Sequence, residues 1–219
     1  MKKALHVAIF TVAITLSQSV YAAWNWVGTI SDWETNGPIE DGDKDMYFTW
    51  GGLTGDLSGK ESPIGVEFRE VELANEDFYT VSFDFDGGFI DGIGTIFYNM
   101  TSIGDEKIYS ARLDTDVAGG VGELVETDIK NSATGLSILQ LVSLNGSPDP
   151  QSGHYHFAGV SSIDIINTLN TNGGIIDHVD NDIDVHAVPE PMSLSLIMIG
   201  FILFGLSRRN ELEIAKLIK

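Results

Sequence analysis

The clearest pattern along the chain is an alternation of apolar and polar side chains over residues 79–86. Aromatic and aliphatic side chains occupy the odd positions from Tyr79 to Phe85, and polar side chains occupy the even ones. Successive side chains of a β-strand point to opposite faces of a sheet. The alternation therefore predicts a strand with one buried face and one solvated face.

Residues 66–73 also alternate, but the parity of their apolar positions changes in the middle. Val66 and Phe68 are even, whereas Val71 and Leu73 are odd. A single register cannot bury both pairs on one face. The sequence therefore predicts a β-bulge near residues 69–70, which would restore the register.

Shorter runs of the same kind, separated by glycine-rich and asparagine-rich turns, continue through the chain to residue 187. No stretch between the two termini keeps a helical period for long, and no fixed-period repeat supports a parallel β-helix. The pattern predicts an all-β fold, an antiparallel β-sandwich or jelly roll in one domain. The further strands are predicted at residues 24–30, 46–50, 94–98, 107–114, 123–130, 137–143, 154–160, 163–169 and 183–187.

The first 22 residues have the organisation of a secretory signal peptide. Lys2 and Lys3 form a positive start, residues 4–16 are mostly apolar, and small residues precede Ala23. We predict cleavage between Ala22 and Ala23. An N-terminal anchor helix is the alternative, but the apolar run is too short to favour it.

Residues 192–206 form an uncharged apolar run near the other end of the chain. As a helix, this run would be about 22 Å long, which is short for a membrane span. The adjacent Arg208 and Arg209 can extend it by snorkelling and would place residues 210–219 in the cytoplasm. A buried core helix is the alternative, disfavoured because the run is apolar on all sides.

A Pro-Glu-Pro sequence precedes this run, and an arginine pair follows it. The motif Pro189, Glu190, Pro191 with Arg208 and Arg209 resembles the PEP-CTERM sorting signal of Gram-negative bacteria. That resemblance covers about the last 30 residues and implies that the chain is the substrate of an exosortase, a membrane-embedded cysteine transpeptidase. The implied organisation is a signal peptide (1–22), an acidic β-domain (23–187), a sorting signal with a transmembrane helix (188–209) and a cytoplasmic tail (210–219).

The resemblance also implies a location and an order of events. The protein would be held at the inner membrane and then reach the cell surface or the exterior after processing. The tail is longer and more mixed in charge than the arginine-rich ending typical of the family.

The segment between the two signals is strongly acidic. It contains 29 of the 32 acidic residues and 6 of the 12 basic ones, a formal charge of −23. Such a surface disfavours nucleic acid and anionic membranes as partners. A calcium-binding protein and a protein from a cation-rich habitat would both have this composition.

The absence of cysteine fits an exported protein stabilised without disulfides.

Three aspartates at alternate positions form the best candidate for a metal site. Asp41, Asp43 and Asp45 begin like an EF-hand loop, but Met46 replaces its turn glycine and Gly52 its bidentate glutamate. The sequence is therefore inconsistent with an EF-hand. A calcium loop of another type and a solvated acidic loop both remain as interpretations.

Residues 178–186 place five ionisable side chains at every other position: His178, Asp180, Asp182, Asp184 and His186. On a straight strand, neighbours two apart stand about 6.6 Å from each other, so one ion could contact only two of them. A polar outer face or a charged edge is the favoured interpretation. His154 and His156 also share a face, and a metal there would need ligands from another strand.

Motifs of catalysis are missing from the sequence. It has no cysteine nucleophile, no nucleophile elbow and no zinc-protease motif. Its many carboxylates are compatible with the acid pair of a glycoside hydrolase, so that activity stays an alternative. Four tryptophans, Trp24, Trp26, Trp33 and Trp50, either belong to the core, which is favoured, or stack on sugars.

Two functional hypotheses follow. The first is a non-enzymatic matrix or surface protein that associates with extracellular polysaccharide in a biofilm, with divalent cations as bridges. The alternative is a secreted glycoside hydrolase on the same β-sandwich.

Overall fold

The computed structural model of the chain describes residues 24–73, 76–118 and 122–187. It contains one short helix, α1 (Ile30–Asn36), and twelve strands in these ranges. The strands are β1 (Asn25–Thr29), β2 (Ile39–Glu40), β3 (Met46–Gly55), β4 (Ile64–Leu73), β5 (Glu76–Ile90), β6 (Ile93–Ser102), β7 (Glu106–Ala118), β8 (Leu124–Asn131), β9 (Ser137–Leu144), β10 (Tyr155–Val160), β11 (Ser162–Asn170) and β12 (Ile175–Ala187).

The strands form two six-stranded antiparallel sheets. The first sheet has the order β1-β4-β5-β12-β7-β10, and the second has the order β2-β3-β6-β11-β8-β9. Buried apolar side chains from both sheets join in one core, in which Phe68, Phe83 and Ile183 of the first sheet share a cluster with Phe48 and Ile165 of the second. The predicted all-β antiparallel sandwich is confirmed.

Strand β5 has the alternation that its sequence predicts. Tyr79, Val81 and Phe83 are at most 1% exposed and face the core, while Asp84 is exposed on the outer face. Burial of a large apolar side chain contributes roughly 1.5–3 kcal/mol, so this face fixes the register of the strand.

The bulge predicted in β4 is wrong. The pairing of β4 with β5 runs from Ile64 opposite Phe85 to Leu73 opposite Glu76 without a change of register. Glu70 therefore follows Val66 and Phe68 on the inner face and is fully buried. The parity of the apolar residues changes because an acidic side chain occupies an inward position.

Two of the glycine-rich segments that the sequence predicts as turns, residues 51–52 and 87–88, lie inside strands instead. Residues 87–88 lie where the pairing of β5 with β12 shifts register, and Gly51 is the extra residue where the pairing of β3 with β6 shifts. At Gly88, a side chain would collide with Ile175, and φ is +79°. Glycine here makes a bulge, which bends the strand without ending it.

Helix α1 has no counterpart among the predicted elements. Its start is fixed by a capping box, in which the Thr29 hydroxyl accepts from the Asp32 backbone and the Asp32 carboxylate accepts from the Thr29 backbone. At 7 residues the helix is too short for its periodicity to stand out in the sequence. It carries Trp33 into the core, where the indole nitrogen donates to the carbonyl of Phe48 at 3.1 Å.

The predicted signal peptide (1–22) and the sorting segment (188–219) lie outside the described residues. Within those residues, no helix has the length and apolarity needed to cross a membrane.

Candidate metal centre

The loop between β2 and β3 brings the three predicted aspartates to one end of the sandwich. Its first residue, Asp41, is 4% exposed, and its Oδ2 atom accepts a hydrogen bond from the Met46 backbone nitrogen at 3.1 Å. The carbonyl of Asp45 accepts from the backbone nitrogen of Ile103 at 2.6 Å. These bonds hold the loop against the second sheet.

The first sheet contributes four polar side chains to the same end. Glu70 on β4 pairs with Tyr79 on β5, and both are buried on the inner face. Asp77 lies opposite Val185 of β12, and Glu106 lies opposite Ala187. Residues at such paired positions share a face, so all four belong to the inner surface of the sheet.

The carboxylates of the loop and of the first sheet meet in an acidic cluster of two groups. Asp41, Asp43 and Glu70 form the inner triad, in which Asp41 and Glu70 are buried. The outer triad consists of Asp45, Asp77 and Glu106, all of intermediate exposure. Within each triad, one oxygen atom from each residue lies within 4.8 Å of the others.

The hydroxyl of Tyr79 lies between the two triads. It is 2.8 Å from Oδ2 of Asp41, 2.9 Å from Oε1 of Glu70 and 3.4 Å from Oδ1 of Asp45. Burial, followed by the charges of Asp41 and Glu70, raises the pKa of this phenol, so it stays protonated. It has one proton to donate and three carboxylates around it, so it satisfies only part of the cluster.

Asp45 shows how burial and the neighbouring carboxylates together disfavour the ionised form of a carboxyl group in the cluster. Burial first, then its hydrogen bond with Asp41 and the neighbouring charges, raises the pKa of Asp45 from 3.8 to about 10. In the absence of a cation, this carboxyl therefore keeps its proton at neutral pH. A bound cation would favour the ionised form instead.

One buried oxygen of the inner triad has no hydrogen-bond partner among the described residues. It is Oδ1 of Asp41, whose other oxygen accepts from Met46 and Tyr79. A buried carboxylate oxygen without a donor is costly, and a cation would satisfy it.

The ligands that the cluster offers suit a hard cation. All its candidate ligands are oxygen atoms, which suit calcium or magnesium better than zinc. Of the three aspartates singled out in the sequence, Asp41 and Asp43 lie in the inner triad and Asp45 lies in the outer one. Sequence reasoning missed Glu70, Asp77 and Glu106. The sequence signal that could have identified Glu70 is the change from even to odd apolar positions in β4.

The alternating residues of β12 occupy the outer face of the first sheet. Val179, Ile183 and Val185 are buried on the opposite face, as the sequence predicts. Strand β12 lies inside the sheet, between β5 and β7, so the ionisable side chains form a polar outer face and not an edge. The groups of three or more metal-ligating side chains found among the described residues, the two triads, include none of them.

Hydrogen bonds pair the residues of this outer face with one another. His178 Nε2 lies 2.8 Å from Asp180 Oδ1, and this bond raises the pKa of His178. Burial opposes ionisation of Asp180, but bonds with His178 and Ser82 lower its pKa. Burial raises the pKa of Asp182, which accepts from the Thr80 hydroxyl at 2.8 Å.

The two histidines at the start of β10 do not converge on one site. His154 Nδ1 lies 3.6 Å from Oδ2 of the buried Asp184, which also accepts from Ser110. His156 is exposed.

The four tryptophans belong to the core, as the favoured interpretation predicts. Trp33 is fully buried and meets Phe68 edge to face, with ring centres 4.7 Å apart. Trp24, Trp26 and Trp50 are partly buried and pack against the same core.

No family model and no curated protein matches the chain. Among solved structures, it is similar to a Bacillus endospore appendage pilus (14% identity, TM-score 0.31, covering 52% of this chain and 88% of that chain). It is also similar to a carbohydrate-binding module in complex with β-1,4-galactotriose, with 9% identity and a TM-score of 0.29, covering 63% of this chain and 87% of that chain. A third similar structure is a carbohydrate-binding module that recognises mannan, with 8% identity and a TM-score of 0.30, covering 77% of this chain and 100% of that chain. These similarities assign no ligand to this chain.

The raised pKa of Asp45 predicts a specific pH dependence. The folded protein without cations holds a proton that the unfolded chain releases above pH 3.8, so stability from this group falls as pH rises towards 10. In a chelator, Asp45→Asn should gain thermal stability over the wild type as pH rises from about 5 to about 8. Melting curves with the exposed-site variant Asp84→Asn as control measure this difference. Parallel profiles for wild type and Asp45→Asn would contradict the prediction.

Proposed function

We propose that the protein is an exported, non-enzymatic surface or matrix protein whose β-sandwich binds calcium at the acidic cluster. The observation that carries this proposal is the convergence of six carboxylates from the β2–β3 loop, β4, β5 and β7 at one end of the sandwich. A single acidic loop would be solvated. Here the first sheet turns acidic residues inward to meet the loop.

Calcium suits the cluster because it accepts six to eight oxygen ligands in flexible geometry. Magnesium demands a nearly regular octahedron and keeps its water more tightly. Each triad supplies three carboxylates, which bind in either a monodentate or a bidentate mode, and water completes the coordination. The ion would neutralise charge between the two sheets and so stabilise the fold.

Calcium should raise the melting temperature of purified residues 23–187. At a calcium concentration about 100 times Kd, linkage gives about 2.7 kcal/mol, or roughly 5–11 °C for a domain of this size. Asp41→Asn removes a charged ligand but keeps an acceptor for the Met46 backbone, so it should lose most of the shift. Asp86→Asn, an exposed change on β5, is the matched control.

Scanning calorimetry with calcium, magnesium and chelator provides the measurement. Equal melting temperatures in calcium and chelator would contradict the calcium site.

The outer face of the first sheet is the surface we assign to polysaccharide. Its carboxylates, imidazoles and hydroxyls, among them His178, Asp182 and Thr80, offer donors and acceptors to sugar hydroxyl groups. A body of charge −23 repels anionic polysaccharides, so divalent cations would bridge the two.

A second candidate function rests on one pair of carboxyl groups on this face. Asp180 has a lowered pKa and Asp182 a raised one, and both project from the same strand. Carboxyl groups with diverging pKa values are what a glycoside hydrolase uses as base and acid.

Retention on the host's exopolysaccharide separates the two functions. The wild-type domain should bind in calcium and elute in chelator, with no sugar released. Asp182→Asn should leave calcium-dependent stability unchanged, because Asp182 is outside both triads. Sugar release by the wild type that Asp182→Asn abolishes would favour the hydrolase. Equal elution with and without calcium would contradict cation-bridged binding.

We also propose that the chain is exported and sorted through its termini. Support comes from the positive start and apolar run of residues 1–22 and from Pro189, Glu190 and Pro191 before the apolar run. An exosortase would process the chain near this motif and release the acidic domain.

Replacing Pro189, Glu190 and Pro191 by alanine should prevent processing. An internally tagged wild-type chain should lose mass and leave the membrane fraction, whereas the triple variant should keep its full size and stay there. Immunoblots of fractionated cells measure both. Identical size and membrane retention for the two chains would contradict processing.

A further inference from the structure

We infer that the outer face of the second sheet carries a subsite for a neutral polysaccharide, formed by Phe97 and a depression beside it. This inference rests on the proposed association with polysaccharide and adds a second surface, on the opposite side of the sandwich from the outer face of the first sheet. Binding here needs no calcium, because a neutral ligand does not have to be bridged to a carboxylate of the same charge.

The aromatic part of this subsite is Phe97 on β6, whose side chain is 36% exposed. Gly51 is the extra residue of the bulge in β3, and a side chain there would occupy the place of the Phe97 ring. The ring therefore lies over Gly51, and its remaining surface faces solvent. An exposed aromatic ring held against a sheet offers an apolar platform to the C–H face of a pyranose ring.

A row of paired residues leads from this platform to a set of hydrogen-bonding groups. Phe97 lies opposite Ile166 on β11, and Ile166 lies opposite Asp128 on β8. Gln140 on β9 lies opposite Asp128 in turn. Neighbouring strands are about 4.8 Å apart, so the row spans roughly 14 Å, which is the length of a short oligosaccharide.

The far end of this row opens into a depression of about 180 Å³ between β8, β9 and β11. A single water needs about 10–15 Å³, so the depression has room for a sugar ring. Its outward side chains are those of Glu126, Asp128, Gln140, Val142 and Thr168.

Three of these side chains are available to a ligand. Within the described ranges, no hydrogen bond or ion pair engages the side chains of Glu126, Gln140 and Thr168. The amide and the hydroxyl both donate and accept, and the carboxylate accepts. A sugar hydroxyl group, which also donates and accepts, can pair with each of them.

The charge of the depression selects a neutral sugar. The carboxylate of Asp128 lies 3.4 Å from the ammonium of Lys130 and accepts from the Ser137 hydroxyl at 2.6 Å. That pair leaves the charge of Glu126 to face the ligand, and this charge would repel uronate or sulfate groups. A second copy of the chain is the other occupant that would cover Phe97, but a body of charge −23 opposes self-association.

Two carbohydrate surfaces on opposite sides of the sandwich would allow one domain to link two polymer chains. The first sheet would bind an anionic chain through divalent cations, and the second would bind a neutral chain directly. Engagement of both surfaces would raise the overall avidity for a mixed matrix.

Binding to neutral polysaccharides in chelator tests the subsite. Purified residues 23–187 are titrated by calorimetry and run in affinity gels against a neutral glucan, mannan and galactan, with a polyuronate for comparison. We expect binding to a neutral polymer in chelator and none to the polyuronate. Calcium-dependent retention on the host's exopolysaccharide is measured in parallel.

Substitutions locate the binding. Phe97→Ala should weaken it at least about tenfold, as expected for a central aromatic contact, and Phe97→Leu should weaken it while keeping an apolar cover over Gly51. Thr168→Val keeps its shape and should lose roughly three- to tenfold, the effect of one hydrogen bond. Tyr155→Ala, at a 45% exposed aromatic of the first sheet, is the matched control and should bind as the wild type does. Circular dichroism and melting curves establish that each variant folds.

The outcomes separate this inference from the proposed function. No binding to neutral polymers in chelator, with calcium-dependent retention intact, overturns the subsite and leaves the proposed function standing. Neutral-polymer binding without that retention supports the subsite and contradicts cation bridging. Binding that both Phe97 variants leave unchanged overturns the assignment to this face. Self-association in sedimentation that Phe97→Ala abolishes, with no carbohydrate bound, makes the face a contact between copies and overturns the subsite.

Discussion

The burial of carboxylates beside one another at one end of the sandwich is the constraint on which this part of the structure depends. Asp41 and Glu70 are buried where the two sheets meet, and Asp45 keeps its proton to about pH 10. Buried charges of one sign destabilise a fold unless protons, donors or cations compensate them. The neutral phenol of Tyr79 donates one hydrogen bond to these carboxylates, and a divalent cation would offset their charge.

The register of the first sheet creates this constraint. The inner face of β5 carries large apolar side chains from Val81 to Phe85, then Tyr79 and Asp77 towards the strand's start. β4 changes in the same way, from Val66 and Phe68 to Glu70. The core therefore ends in a polar layer, and the loop of Asp41 from the other sheet covers it. One continuous pair of strands positions both the apolar core and the metal ligands.

The sequence predicts the fold better than it predicts the site. Alternation identifies most strands because each has one buried face, and the spacing of Asp41, Asp43 and Asp45 marks the loop. Apolar parity alone cannot separate an inserted residue from a buried acid, so the sequence predicts a bulge where Glu70 is in fact buried. Asp77 and Glu106 are ordinary strand residues in sequence, and only the pairing of both strands with β12 brings them together. Ligands from distant strands depend on topology, which no local pattern contains.

The position of the acidic cluster connects the fold to the proposed export. β12 ends at Ala187, directly before the predicted sorting motif, and its last residues lie between Asp77 and Glu106. Extracellular calcium modules bind at about 10⁻⁴–10⁻³ M, far weaker than cytosolic buffers. A cluster of comparable affinity would stay protonated at Asp45 inside the cell and take up calcium only outside. Because calcium would displace that proton, the end of the sandwich that holds the acidic cluster would gain stability on binding the ion.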